Sequence, residues 1–353
     1  MLSSLPKLAD KAFIIGFFIP TLLFVLAIAG LFHGHAWTKP ILDIASASKD
    51  WDKLAYFALG VWVLSLLVMM FNHIEMQILE GYRWPVSKIA HLKRKEQQRY
   101  DAMNDRFLRL NAEWKNLGNA FPEDRKIEVG RLRRQLVEQF PTETRFQLPT
   151  RFGNAVRAFE VYSSQVYGAD SIPLWIHLGA VIPADFQSSI ADARAQVNCA
   201  VNISVFAAVI SVISIVGFPF SIHWGAYSAA NSPIWGLVGM LDRNSVIFLA
   251  SALVAAGISR GVYLFAIELV YAWGKMVKAA VDCYLPALAK QLGYELPPTS
   301  DQRKAFWSAL SQQAIYWTPM KPEQWKPPEK KATADKPTYT VNEITEILTL
   351  NTR

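Results

Sequence analysis

Arg260 stands in the pentapeptide Gly257-Ile258-Ser259-Arg260-Gly261, inside an otherwise apolar run that begins near Ser245 and ends near Trp273. A guanidinium held among apolar side chains either lines a path for ions or polar solutes or is anchored by a hydrogen-bonding partner on another helix. At 1.5 Å per residue Arg260 lies roughly 22 Å along its helix from Ser245, towards one edge of a bilayer, where a long side chain can snorkel. Asn198 and Asn202, one turn apart in the preceding apolar run, are its expected partners. Gly257 and Gly261 give the spacing at which two membrane helices approach closely. Glu268 follows two turns after Arg260, at a depth similar to that of His73, Glu75 and Glu80. A lipid-acting enzyme would need those groups to converge as acid, base or metal ligands, but their spacing defines no metal site and fits a solvated polar collar. Two basic runs, Lys93-Arg94-Lys95 and Arg131, Arg133 and Arg134, are of the type that holds anionic lipid headgroups or serves topology and solubility. No GxxxxGK loop, HExxH pair, GxSxG elbow or dinucleotide fingerprint is recognised, so no catalytic residue, metal or cofactor is expected.

The elements that must position these residues are set by where charge is missing. Hydrophobic residues make up 52% of the chain and charged residues 18%, and the charges are concentrated between a few long uncharged segments. That distribution is expected when part of a chain has lipid as its solvent. Phe13 to Phe32 and Leu54 to Asn72 carry no Asp, Glu, Lys, Arg or His, and each is long enough for one crossing. No Asp, Glu, Lys or Arg occurs between Arg194 and Asp242. This stretch is too long for one crossing, so it is read as a third span, Asn198 to Ser221, closed by Phe218-Pro219 and followed by an interfacial Trp- and Gly-bearing segment. The fourth span runs from Ser245 towards Trp273. Lys and Arg cluster just after the second span (Arg83, Lys88, Lys93, Arg94, Lys95) and after the fourth (Lys275, Lys278), which places both regions and both termini on the cytoplasmic side. The same bias accounts for the net charge of +7 without nucleic acid. Cys199 and Cys283 are read as ordinary small apolar residues.

The fold expected is all-α: a four-helix transmembrane bundle with an α-helical cytoplasmic domain inserted between spans two and three. In residue terms, 1–73 holds spans one and two, 74–197 the cytoplasmic domain, 198–273 spans three and four, 274–318 a helical extension and 319–353 a flexible tail. Within the domain, Tyr100, Met103, Phe107, Leu110, Trp114 and Leu117 make one stripe of a helix that packs against a partner. A second helix follows Pro122 and ends before Pro141, and a third is capped by Thr150 and stopped by Gly168. Another opens at Pro183 and continues into the third span, as the second span continues towards Glu80.

Two segments, LPTRFGNAVRAFEVYSSQVYG and KMVKAAVDCYLPALAKQLGYELP, resemble parts of a group of bacterial polytopic membrane proteins to which no activity is attached. The resemblance implies a bacterial inner membrane and the same topology, with no catalytic residue to carry over. The function expected is that of a non-enzymatic membrane effector, or an assembly or signalling scaffold, whose cytoplasmic domain couples to the bundle. Its partners would be the lipid bilayer, further copies of itself and a cytoplasmic protein. An oligomeric channel or transporter is the alternative, and a lipid-acting enzyme at the cytoplasmic interface a weaker one.

Overall fold

The computed structural model describes residues 10–32, 51–221 and 243–320, and every regular element among them is helical. In chain order these are α1 (Lys11–Leu31), α2 (Trp51–Glu80), α3 (Ala90–Leu117), α4 (Glu123–Gln139), α5 (Arg151–Glu160), α6 (Tyr162–Tyr167), α7 (Ser171–Gly179), α8 (Ala184–Ser221), α9 (Arg243–Gln291) and α10 (Ser300–Tyr316). Four of them, α1, α2, α8 and α9, are long and apolar enough to cross a membrane. The interfacial segment expected after the third span and all but the start of the 319–353 tail lie outside the described residues.

Helices α8 and α9 form the central pair. Ser204 and Ser211 of α8 donate to the carbonyls of Ser259 and Ala252, both at 2.9 Å, so small hydroxyls lock the two helices where apolar packing alone would leave them free to slide. Helix α1 lies against α8, with Phe24 stacked on Phe206 and Lys11 paired to Asp192 at 2.6 Å. Its path is irregular for a local reason. Pro20 has no N–H to return to the carbonyl of Gly16 four residues back, and a π-turn occupies Ile14–Phe18 just before it. Asn202 of α8 is fully buried and donates its Nδ2 to that Gly16 carbonyl at 2.9 Å.

The expected boundaries after residues 73, 197 and 273 fall inside α2, α8 and α9, none of which breaks there. Pro219 stands near the end of α8, which runs to Ser221. The intervening segment holds two substructures. Helices α3 and α4 form a hairpin in which the stripe from Tyr100 to Trp114 is half-buried; Tyr100 meets Phe140 edge-on, Trp114 stacks on Phe121, and Arg125 pairs with Glu113 at 2.7 Å. The stripe therefore packs within the chain, although Leu117 at its end is exposed. Helices α5, α6 and α7 instead pack on α2, α8, α9 and α10, in one core that runs from Met76, Val197 and Val201 through Phe152, Phe159 and Val270 to Leu285, Phe306 and Trp307.

The start of α5 is fastened to the end of α2. Thr150 Oγ1 accepts from the Gly153 N–H, capping α5, and donates to the Leu79 carbonyl at 2.7 Å. A Cβ on Gly153 would stand 2.2 Å from the Glu80 carbonyl oxygen, so only glycine allows this approach. The expected helix from Thr150 to Gly168 is interrupted at Val161, which separates α5 from α6. Helix α7, not anticipated, is capped by Asp170, whose side chain accepts from the Ile172 N–H.

Candidate functional site: a cavity between the long helices

On α2, Met69, Asn72, His73, Met76, Gln77 and Glu80 recur at the i, i+3, i+4, i+7, i+8, i+11 positions of a helix and so share one face. On α8, Ile190, Arg194 and Asn198 do the same, and on α9 Trp273 and Val277 are one turn apart. These three faces, with Phe17 of α1 at one end and Phe159, Glu160, Ser171 and Trp175 at the other, enclose a cavity of about 700 Å³. That volume suits a small organic ligand.

Three residues that line this space each carry a buried side-chain atom with no hydrogen-bond partner among the described residues: Asn72 Oδ1, Asn198 Oδ1 and Trp273 Nε1. Both asparagines are more than nine-tenths buried. A buried polar group left unpaired costs on the order of 1–3 kcal/mol, and such groups gather where something polar is to be held. Other lining groups are braced. The Trp273 ring meets Phe159 edge-on at 4.9 Å, and the Arg194 guanidinium stands 5.8 Å from its centre. His73 and Gln77 are hydrogen-bonded at 2.9 Å, and Gln77 accepts from Arg83 at 2.6 Å. Glu160 pairs with Arg157 at 3.1 Å, and its backbone carbonyl accepts from Ser171. Neither Glu80 nor Arg194 is in an ion pair among the described residues. Tyr82, at the rim, has its phenol held above the ordinary value, first by partial burial.

The expected pairing of Arg260 with Asn198 and Asn202 does not form. Asn198 faces the cavity, and Asn202 serves the Gly16 carbonyl. Arg260 is on the exposed face of α9, its guanidinium 5.8 Å from the centre of the Tyr263 ring. Gly257 and Gly261 share that face, and a Cβ at either would meet no described residue beyond its own turn of helix within 4 Å. Glu268 is exposed as well and does not line the cavity with His73. Residues 257 to 261 also spell GxSxG, a match that the sequence reading passed over. A nucleophile elbow needs a strand-to-helix turn, whereas Ser259 is inside continuous α9. No group of three or more His, Cys, Asp or Glu residues able to hold a metal ion occurs among the described residues.

Lys93, Arg94 and Lys95 are exposed in the first turns of α3, and Arg131, Arg133 and Arg134 are exposed on α4. Arg134 lines a cavity of about 180 Å³ with Glu138, Lys275 and Lys278, where Lys275 pairs with Glu138 at 3.1 Å, and Lys93 and Arg94 line another with Gln97 and Gln98. The cavity residues that the sequence reading did not bring together are Asn72, Arg194, Glu160, Trp175 and Trp273. The α2 spacing was the available signal for that side of the cavity. In comparisons with protein-family profiles, curated proteins and solved structures, nothing matched the chain.

Proposed function

We propose that this chain is a bacterial inner-membrane effector or scaffold, non-enzymatic, in which a cytoplasmic helical domain is mechanically coupled to a four-helix bundle. The observation that carries the reading is the continuity of α2, α8 and α9. With 30, 38 and 49 residues they measure about 45, 57 and 74 Å, against a hydrocarbon core of about 30 Å. Each therefore leaves the membrane without a hinge and enters the core shared with α5 to α7 and α10. The loop charges put that core, and both termini, in the cytoplasm. A signal or partner arriving at α5 to α7 would shift helix ends that are rigidly joined to the bundle.

Two measurements test this. Reporter fusions are expected to place residues 120 and 353 in the cytoplasm and residue 232 outside; the reverse pattern overturns the orientation. Gly153→Leu, which wedges α5 off the end of α2, is expected to raise hydrogen exchange in α8 and α9 beyond the bilayer edge as well as in α5. Exchange changes confined to residues 150–160 would refute coupling.

A second reading, an oligomeric channel, is supported by one observation: Gly257, Arg260, Gly261 and Glu268 all lie on an exposed face of α9. It requires a current in liposomes whose ion preference inverts in Arg260→Glu.

A further inference from the structure

From the order in which polar groups line the large cavity, we infer that it holds a zwitterionic phosphate diester bearing a primary ammonium, the headgroup chemistry of phosphatidylethanolamine. The inference rests on the membrane embedding proposed above. Helices α2 and α8 run in opposite directions along the cavity, so Asn72 and Asn198 both fall at its apolar end, beside Phe17 and Met69. Arg194 precedes Asn198 by one turn, about 6 Å nearer the cytoplasm, and Glu80 follows Asn72 by two, about 12 Å nearer. The lining therefore passes from apolar side chains to neutral amides, then to a guanidinium beside the Trp273 ring, then to carboxylates. A phospholipid entering headgroup first presents the matching series: acyl chains, glycerol esters, phosphate, ammonium.

Each match is chemical. The Nδ2 donors of the Asn72 and Asn198 amides fall at the level of the glycerol esters, which can only accept. The Arg194 guanidinium, on the cavity lining, is a donor suited to phosphate oxygens. Glu80 accepts from an N–H-bearing ammonium, which phosphatidylglycerol lacks altogether and which a quaternary choline group cannot supply as a hydrogen-bond donor.

The test uses the full chain, delipidated in dodecyl maltoside, with melting temperature followed as lipid is added. Dioleoyl phosphatidylethanolamine is expected to raise the melting temperature at about tenfold lower concentration than dioleoyl phosphatidylglycerol, a ratio expected for one charge-assisted hydrogen bond. Glu80→Gln should abolish that ratio, and Arg194→Gln should weaken the response to both lipids. Soluble glycerophosphoethanolamine separates the sources. Protection by the lipid alone assigns the cavity to a membrane lipid, and equal protection by the soluble compound assigns it to a free zwitterion of the same chemistry. Equal responses of the wild type to the two lipids overturn the inference, and this comparison needs no variant to fold. A lipid ratio that survives Glu80→Gln overturns it too. Because the assay is read in detergent, a failed orientation or coupling test would leave its result standing, and the converse holds.

Discussion

Asn202 and Pro20 form a pair whose energetics can be separated by mutation. Asn202→Leu removes the 2.9 Å hydrogen bond to the Gly16 carbonyl, and Pro20 leaves no N–H in the ordinary helical position to replace it. An unpaired buried carbonyl costs about 1–3 kcal/mol in water-soluble proteins, while hydrogen bonds between membrane helices average nearer 0.6 kcal/mol. One term opposes the loss: Asn202 Oδ1 is itself buried without a partner, and leucine removes it. The expected net destabilisation is therefore about 1 kcal/mol. Asn202→Asp keeps the shape but sets an oxygen against the carbonyl, and should cost more than the leucine change. The decisive measurement is a double-mutant cycle, with unfolding followed in mixed micelles. Pro20→Ala restores an N–H to the Gly16 carbonyl, so Asn202→Leu in that background should cost close to nothing, giving a coupling energy of about 1 kcal/mol. Additive effects, with a coupling below about 0.3 kcal/mol, would refute the idea that Asn202 is present to serve the carbonyl exposed by the proline.

Further outcomes are expected at other sites. Gly257→Leu and Gly261→Leu should leave the melting temperature of the isolated chain nearly unchanged, because a Cβ at either position would meet no described residue beyond its own turn of helix within 4 Å, yet reduce any oligomer seen by light scattering in mild detergent. Thr150→Val, which removes both the α5 cap and the bond to the Leu79 carbonyl, should destabilise by about 1–2 kcal/mol in thermal unfolding. Tyr162 and Tyr167 both donate to Asp282 Oδ1 at 2.8 Å; burial first, then this bond, holds the Tyr162 phenol above its usual 10.0. Folding thus favours the protonated phenol, so its contribution is full below pH 10.0 and is lost as pH rises through the folded value. Tyr162→Phe should accordingly flatten the alkaline limb of a melting-temperature profile.

What the sequence made legible depended on how local each signal was. The four apolar helices follow from missing charge, and the ends of α4, α5 and α6 from Pro141, Thr150 and Gly168, each acting within one turn of its own position. Helix α7 escaped because it is short and carries Pro173 in its first turn, although Asp170 was a fair cap. The partner of Asn202 was harder. Two asparagines one turn apart announce a shared face, but which neighbour that face meets depends on how α8 is rotated against α1 and α9. Pro20 was the overlooked clue, since an intramembrane proline leaves a carbonyl for some other helix to satisfy. The large cavity has no sequence signature of its own. It exists because several helices fail to close around one volume, and only the α2 stripe from Met69 to Glu80 was readable in advance.

The position of that volume follows from the same physics that fixes the long helices. Where α2, α8 and α9 are proposed to leave the bilayer, their neighbours change from lipid to the short helices α5 and α7, and no single packing of side chains suits both surroundings. Small residues and hydroxyls hold α8 against α9 deeper in the proposed membrane, at Ser204 and Ser211, while large apolar side chains such as Phe152 and Phe306 fill the core beyond. Between these regimes the lining turns polar at the buried Asn72 and Asn198, where leucine would pack more simply and leave no unpaired amide. Retaining desolvated amides at the junction of three unbroken helices is costly for stability alone. A bound headgroup at this level would take up the donor side of these amides and, by spanning α2, α8 and α9, would bias the helix positions through which the proposed coupling acts.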